Sequence, residues 1–238
     1  MAENLTPEEF GRRIDDIRAK LTEQGRTVVS LVDAAIEAFY ARDAAEAEGV
    51  VAEDDRVDRV DVEIERESVE LLIRTAVCAC NLDAGHIRRL LTIVKINNEL
   101  ERIADAGTDI AELVTQLACP ETKFPETTMV MTNSVRGLLR DAVACYESFN
   151  PKTARVVLQS EHVVMSFKAE ILQKAEQRVA DSTMAVDSAF NLHELVSLCM
   201  LIADHCTNIA EQVIYEQTGM IVRHMDGHWE EREAQGNG

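Results

Sequence analysis

Twelve consecutive residues near the middle of the chain return ninety-nine positions later, eight of them unchanged. Ile103-Ala104-Asp105-Ala106-Gly107-Thr108-Asp109-Ile110-Ala111-Glu112-Leu113-Val114 aligns without gaps on Ile202-Ala203-Asp204-His205-Cys206-Thr207-Asn208-Ile209-Ala210-Glu211-Gln212-Val213. Stacked solenoid repeats have periods of roughly 20–50 residues. So long a period implies instead two domain-sized halves, each a bundle of its own. Both copies keep an apolar seam (Ile103, Ile110, Val114; Ile202, Ile209, Val213) and a polar stripe (Asp105, Asp109, Glu112; Asp204, Asn208, Glu211).

The residues around the repeat favour helix. Aromatics are only 4% and glycine and proline are few, while 46% hydrophobic residues suffice for a core. The net charge of −19 argues against nucleic-acid binding, which needs clustered lysine and arginine. It equally disfavours anionic lipid, and it favours cations or a partner with a basic surface. The amino terminus shows no basic and apolar signal segment, and no apolar run approaches the length of a membrane span. The expectation is a cytoplasmic protein without membrane insertion. The six cysteines lack zinc-ribbon spacing and are read as reduced core thiols.

Helix signals punctuate the whole length. Thr6-Pro7-Glu8-Glu9 supplies a hydroxyl cap, a first-turn proline and acids at the positive dipole end. Helical spacing then predicts helices from there to about Arg42, from about Ala44 to Cys80, and over roughly 86–118. Cys119 to Pro125 holds two of the four prolines and reads as the hinge. Helices follow from about Glu126 to Ser148, from Asn150-Pro151 to about Val179, and across the second repeat to Thr218-Gly219. The predicted fold is all-α: two tandem antiparallel three-helix bundles, residues 6–118 and 126–219, related by internal duplication. A polar tail, expected to be frayed, covers 225–238.

On a helical wheel, Leu100, Ile103, Gly107, Ile110, Val114 and Leu117 form one seam. Glu101, Asp105 and Asp109 fall opposite it. Carboxylates spaced at i, i+4 and i+8 stand about 6 Å apart and repel unless neutralised. The row is therefore either a solvated acidic face or a ligand row for hard ions such as magnesium, calcium, manganese or iron. The acid-rich stretch of the second helix, Glu53 to Glu70, reads mostly as a solvated face.

These residues resemble the PhoU family of phosphate-specific transport regulators. Asn98-Glu99-Leu100-Glu101-Arg102-Ile103-Ala104-Asp105 followed by Ile110-Ala111-Glu112 is similar to the ELERIGD…IAE signature, and Ile202 to Tyr215 to the RIGDHATNIAEEVIY segment. Gly219-Met220-Ile221-Val222-Arg223-His224 resembles the family's G-x-x-[VI]-R-H ending, and Asp54 to Glu65 its D-x-x-[IV]-D-x-x-x-x-x-I-E run. The resemblance spans about residues 10–224. It implies two three-helix bundles whose E/D-x-x-x-D rows bind iron or zinc clusters in some members and magnesium in others. By position Glu101, Asp105 and Asp109 would be metal ligands in the first row, and Asp204 and Asn208 in the second. The implied role is non-catalytic negative regulation of phosphate uptake and phosphate-starvation signalling, through a sensor histidine kinase and the ATPase of the phosphate ABC transporter. A homodimer is expected.

The second row departs from the pattern. Met200 stands where Glu101 has a carboxylate, and Val164 where the fifth helix would match Asp58. Hard cations do not select a thioether, so the second site is expected to be weaker or absent. An accessory protein of another phosphate permease would share these features. A carboxylate-bridged metal enzyme would need Glu-x-x-His pairs facing the bundle core, and the third and sixth helices carry none.

Overall fold

The computed structural model describes residues 6–78, 82–116, 123–225 and 228–232. Its helices are α1 (Pro7–Ala41), α2 (Ala44–Cys78), α3 (Ala84–Gln116), α4 (Glu126–Ser148), α5 (Pro151–Ala180) and α6 (Val186–Thr218). Local chemistry sets their ends. The Thr6 hydroxyl accepts from Glu9 N at 3.2 Å ahead of Pro7, and Asn150 accepts from Lys152 N at 2.9 Å ahead of Pro151. Gly219 closes α6 in the left-handed region at φ 72°, its N–H donating to Tyr215 O. Residues 117–122, most of the expected hinge, lie outside the described residues, as do Cys80 and Cys119.

Helices α1, α2 and α3 pack on one another, and so do α4, α5 and α6. The two bundles join through the repeated helices themselves: α3 lies against α6, with a smaller contact between α1 and α4. The seam residues Leu100, Ile103, Ile110, Cys199, Ile202, Cys206, Ile209 and Val213 are all buried in one continuous core. Gly107 marks a close approach of α1. A Cβ there would stand 2.6 Å from Leu31 Cδ2 and 3.1 Å from Val32 Cγ2. Its repeat partner Cys206 is fully buried yet carries a side chain.

One feature bears on the expectation of no membrane span, and another departs from the expected tail. By length and composition α6 is apolar enough to cross a membrane; here it packs against α3, α4 and α5, which uses that apolar surface as core. The supposed tail also enters regular structure. Strand β1 (Ile221–Met225) pairs antiparallel with β2 (His228–Arg232), from Ile221 opposite Arg232 to Met225 opposite His228. Main-chain pairing does not depend on apolar alternation, so the polar composition hid it; Val222, buried at 5% exposure, fastens β1 to the core. Cys145, Cys199 and Cys206 are free and buried, and burial pushes the thiols of Cys145 and Cys199 up to about 12.

Candidate metal centre

The acidic row of α3 does not face open solvent alone. The antiparallel packing of α2 sets Asp54 and Asp58, one turn apart, opposite Asp105, and oxygens of all three lie within 4.8 Å of one another. Glu101 stands in the same field, repelled by Asp105, then Asp61 and Asp58. Asp109 sits further along, near Glu112, Asp105 and Glu194 of α6. Partial burial is the first cause, and neighbouring carboxylates the next, for carboxyls raised above their ordinary values at Asp54, Asp61, Glu101, Asp105 and Asp109. Of the charges acting on Glu101, the one cation, Arg102, has the smallest influence.

The donor set fits a hard cation. Asp54 is half-buried, with Oδ1 sealed from solvent and the Thr108 hydroxyl beside its carboxylate, while Asp58 and Asp105 are exposed; a cation or the hydroxyl can meet the buried oxygen. The set is all carboxylate, with neither histidine nor cysteine. Such ligands suit magnesium, calcium, manganese or iron better than zinc.

Asp105 is thus brought together with α2, and Glu101 lies beside it. The sequence does not single out Asp54 and Asp58 as ligands; their stretch reads as a solvated face, although their i, i+4 spacing matches that of Glu101 and Asp105. That spacing was the available signal. Which turn of α2 faces α3 depends on interhelical packing, and a single helical wheel does not contain it.

The second row has another fate. Asp204 is exposed. Asn208 Nδ2 donates to Glu99 Oε2 at 3.1 Å, and His205 Nδ1 donates to the same oxygen at 2.6 Å. Asp204 belongs to no group of three histidine, cysteine or carboxylate side chains close enough to share a metal among the described residues. Their face carries hydrogen bonds between the bundles. Val164 is buried at 1% exposure where the first half has Asp58.

A duplicated pair of three-helix bundles with one acidic face between its second and third helices defines the class. The PhoU domain model matches twice, over residues 21–114 and 128–213, and the chain belongs to the PhoU family. It is 27% identical over 221 residues to the phosphate-specific transport system accessory protein PhoU homolog of Pseudomonas putida, covering 92% of this chain and 84% of that protein. The corresponding homolog of Caulobacter vibrioides is 27% identical over 216 residues, covering 90% and 92%. PhoU from Pseudomonas aeruginosa superposes with TM-score 0.81 at 26% identity, covering 88% of this chain and 99% of that one. The phosphate transport system regulatory protein PhoU from Streptococcus pneumoniae shares the fold at TM-score 0.82 and 19% identity, covering 90% and 100%.

Proposed function

We propose that this chain is a non-catalytic accessory regulator of phosphate uptake. In this reading it restrains uptake and phosphate-starvation signalling by docking on a sensor histidine kinase and on the ATPase of a phosphate transporter. The observation that carries the reading is the match of both halves to the PhoU domain across nearly the whole fold. Related chains bear the name of phosphate-specific transport system accessory proteins. The net charge of −19 supports partners with basic surfaces. Within this function Asp54, Asp58, Glu101 and Asp105 hold one or more hard cations, which neutralise the α2–α3 face and fix the two helices against each other.

The test is genetic. Deleting the gene should switch on phosphate-starvation reporters in phosphate-rich medium, and the intact chain should restore repression. A deletion strain that keeps normal repression would overturn the proposal. Partner binding measured over rising salt should weaken, since exposed charges are screened within about 8–10 Å at physiological ionic strength.

A further inference from the structure

A second oxygen-rich region adjoins the Asp54–Asp58–Asp105 group, three residues along α2 from Asp58, where α3 lies between α2 and α6. Asp61, Glu65, Asn97, Glu99, Gln212 and Lys95 line a cleft of about 420 Å³. Three carboxylates there face one ammonium. Lys95 extends toward the Tyr215 ring, its Nζ 5.7 Å from the centroid. Glu99 is held in place by His205 and Asn208 of α6.

The neutral side chains carry the argument. Asn97 is buried at 2% exposure. Its Nδ2 donates to Asp61 Oδ1 at 2.6 Å and to Asp61 O at 3.0 Å. Those two acceptors fix the amide orientation, because a flipped amide would set oxygen against oxygen. Asn97 Oδ1 is thereby committed as an acceptor, and it has no hydrogen-bond partner. Across the cleft Gln212 Oε1 is likewise buried and unpartnered. A buried amide oxygen without a partner costs about 1–3 kcal/mol. Asn97 and Gln212, from different bundles, both line the same acidic cleft, and what their two sealed oxygens lack is a donor or a cation.

We propose that this cleft binds a hard divalent cation through Asp61, Glu65 and the amide oxygens of Asn97 and Gln212, tying α2 of the first bundle to α6 of the second. Carboxylates mixed with amide carbonyls and retained water are the ligand chemistry of calcium and magnesium, and the volume leaves room for water in the coordination shell. The consequence is mechanical. Helices α2 and α6 make no direct packing contact among the described residues, so the ion would add a link between the bundles that packing does not provide. The proposal does not depend on the acidic face of Asp54, Asp58 and Asp105 being a metal site.

Equilibrium dialysis with Ca²⁺, on the full chain stripped by chelator, tests it. The background is Asp105→Asn, which removes a ligand of the other group. On that background the chain should still bind Ca²⁺, and adding Gln212→Leu or Glu65→Gln should each weaken binding about tenfold or more, as losses around a metal shell do. The exposed Glu65 tolerates its near-isosteric change, so Glu65→Gln decides alone should Gln212→Leu unfold the chain. Absence of Ca²⁺ binding on the Asp105→Asn background, or binding indifferent to Glu65→Gln, overturns the proposal. The acidic-face reading is judged separately, by whether Asp105→Asn alone lowers the metal bound relative to the unaltered chain.

Discussion

The two copies of the repeated helix share a buried seam and carry different polar faces. In α3 the stripe opposite the seam keeps Glu101, Asp105 and Asp109, and α2 brings Asp54 and Asp58 up to Asp105. In α6 the same positions hold Met200, Asp204 and Asn208, and α5 presents a buried Val164. His205 and Asn208 turn instead toward Glu99 of the first bundle. A packing seam tolerates little change, because buried volume must be refilled whenever it is altered. A polar face has no such constraint, so the copies could diverge there while the fold stayed duplicated. Even the seams differ in one place, Gly107 against Cys206, because α1 crosses closely over the first copy.

That last difference gives the largest expected effect. Gly107→Val forces Leu31 and Val32 apart and should lower stability by about 2–3 kcal/mol. Cys206→Val, which adds little volume at the equivalent position, should cost less than about 1.5 kcal/mol. Denaturant melts of both variants check this, and equal losses would mean that the two seams are packed alike.

Next comes the link between the bundles. Glu99→Ala leaves His205 and Asn208 without their shared acceptor and should cost about 1–3 kcal/mol. Glu101→Ala, only two residues away on the acidic face, should leave the metal-free chain unchanged or slightly more stable, because it removes repulsion. If both changes destabilise equally by thermal unfolding, the supposed difference between the two faces disappears.

A smaller effect is carried by pH. Burial, then neighbouring carboxylates, raises the acids of the α2–α3 face, so the folded chain binds protons that the unfolded chain has released. Their contribution to stability is therefore least favourable above the raised values and recovers as pH falls into the ordinary carboxylate range. Glu216, raised to about 7 by its burial, acts in the same direction and is common to all variants compared here. In chelator-treated protein, Asp105→Asn should flatten the rise in melting temperature on acidification, while Asp204→Asn should follow the unaltered chain. Identical pH profiles for all three would place the acidic face in open solvent.

The smallest change in stability comes with the sharpest change in composition. Asp105→Asn should stabilise the metal-free chain by a few tenths of a kcal/mol and deprive it of bound metal, as read by elemental analysis of protein purified without chelator. Asp204→Asn should cost less metal. The reverse ranking would show the second row to be the stronger site.

The sequence was sufficient for everything governed by local periodicity. Pro7, Pro151 and Gly219 mark helix ends, the twelve-residue repeat marks two halves, and a wheel of α3 separates its seam from Glu101, Asp105 and Asp109. These are properties of one helix at a time, set by backbone geometry and by the spacing of apolar residues. Tertiary structure alone decided the rest. It chose which turn of α2 stands opposite Asp105, making ligand candidates of Asp54 and Asp58 in a stretch that reads as a solvated face. It turned Asn208 toward Glu99 and set Gln212 across a cleft from Asn97. It also paired β1 with β2 in a segment whose composition reads as a tail. Each of these is a register between elements, fixed by how side chains of separate helices interlock or by main-chain pairing, and no wheel drawn on a single element contains it.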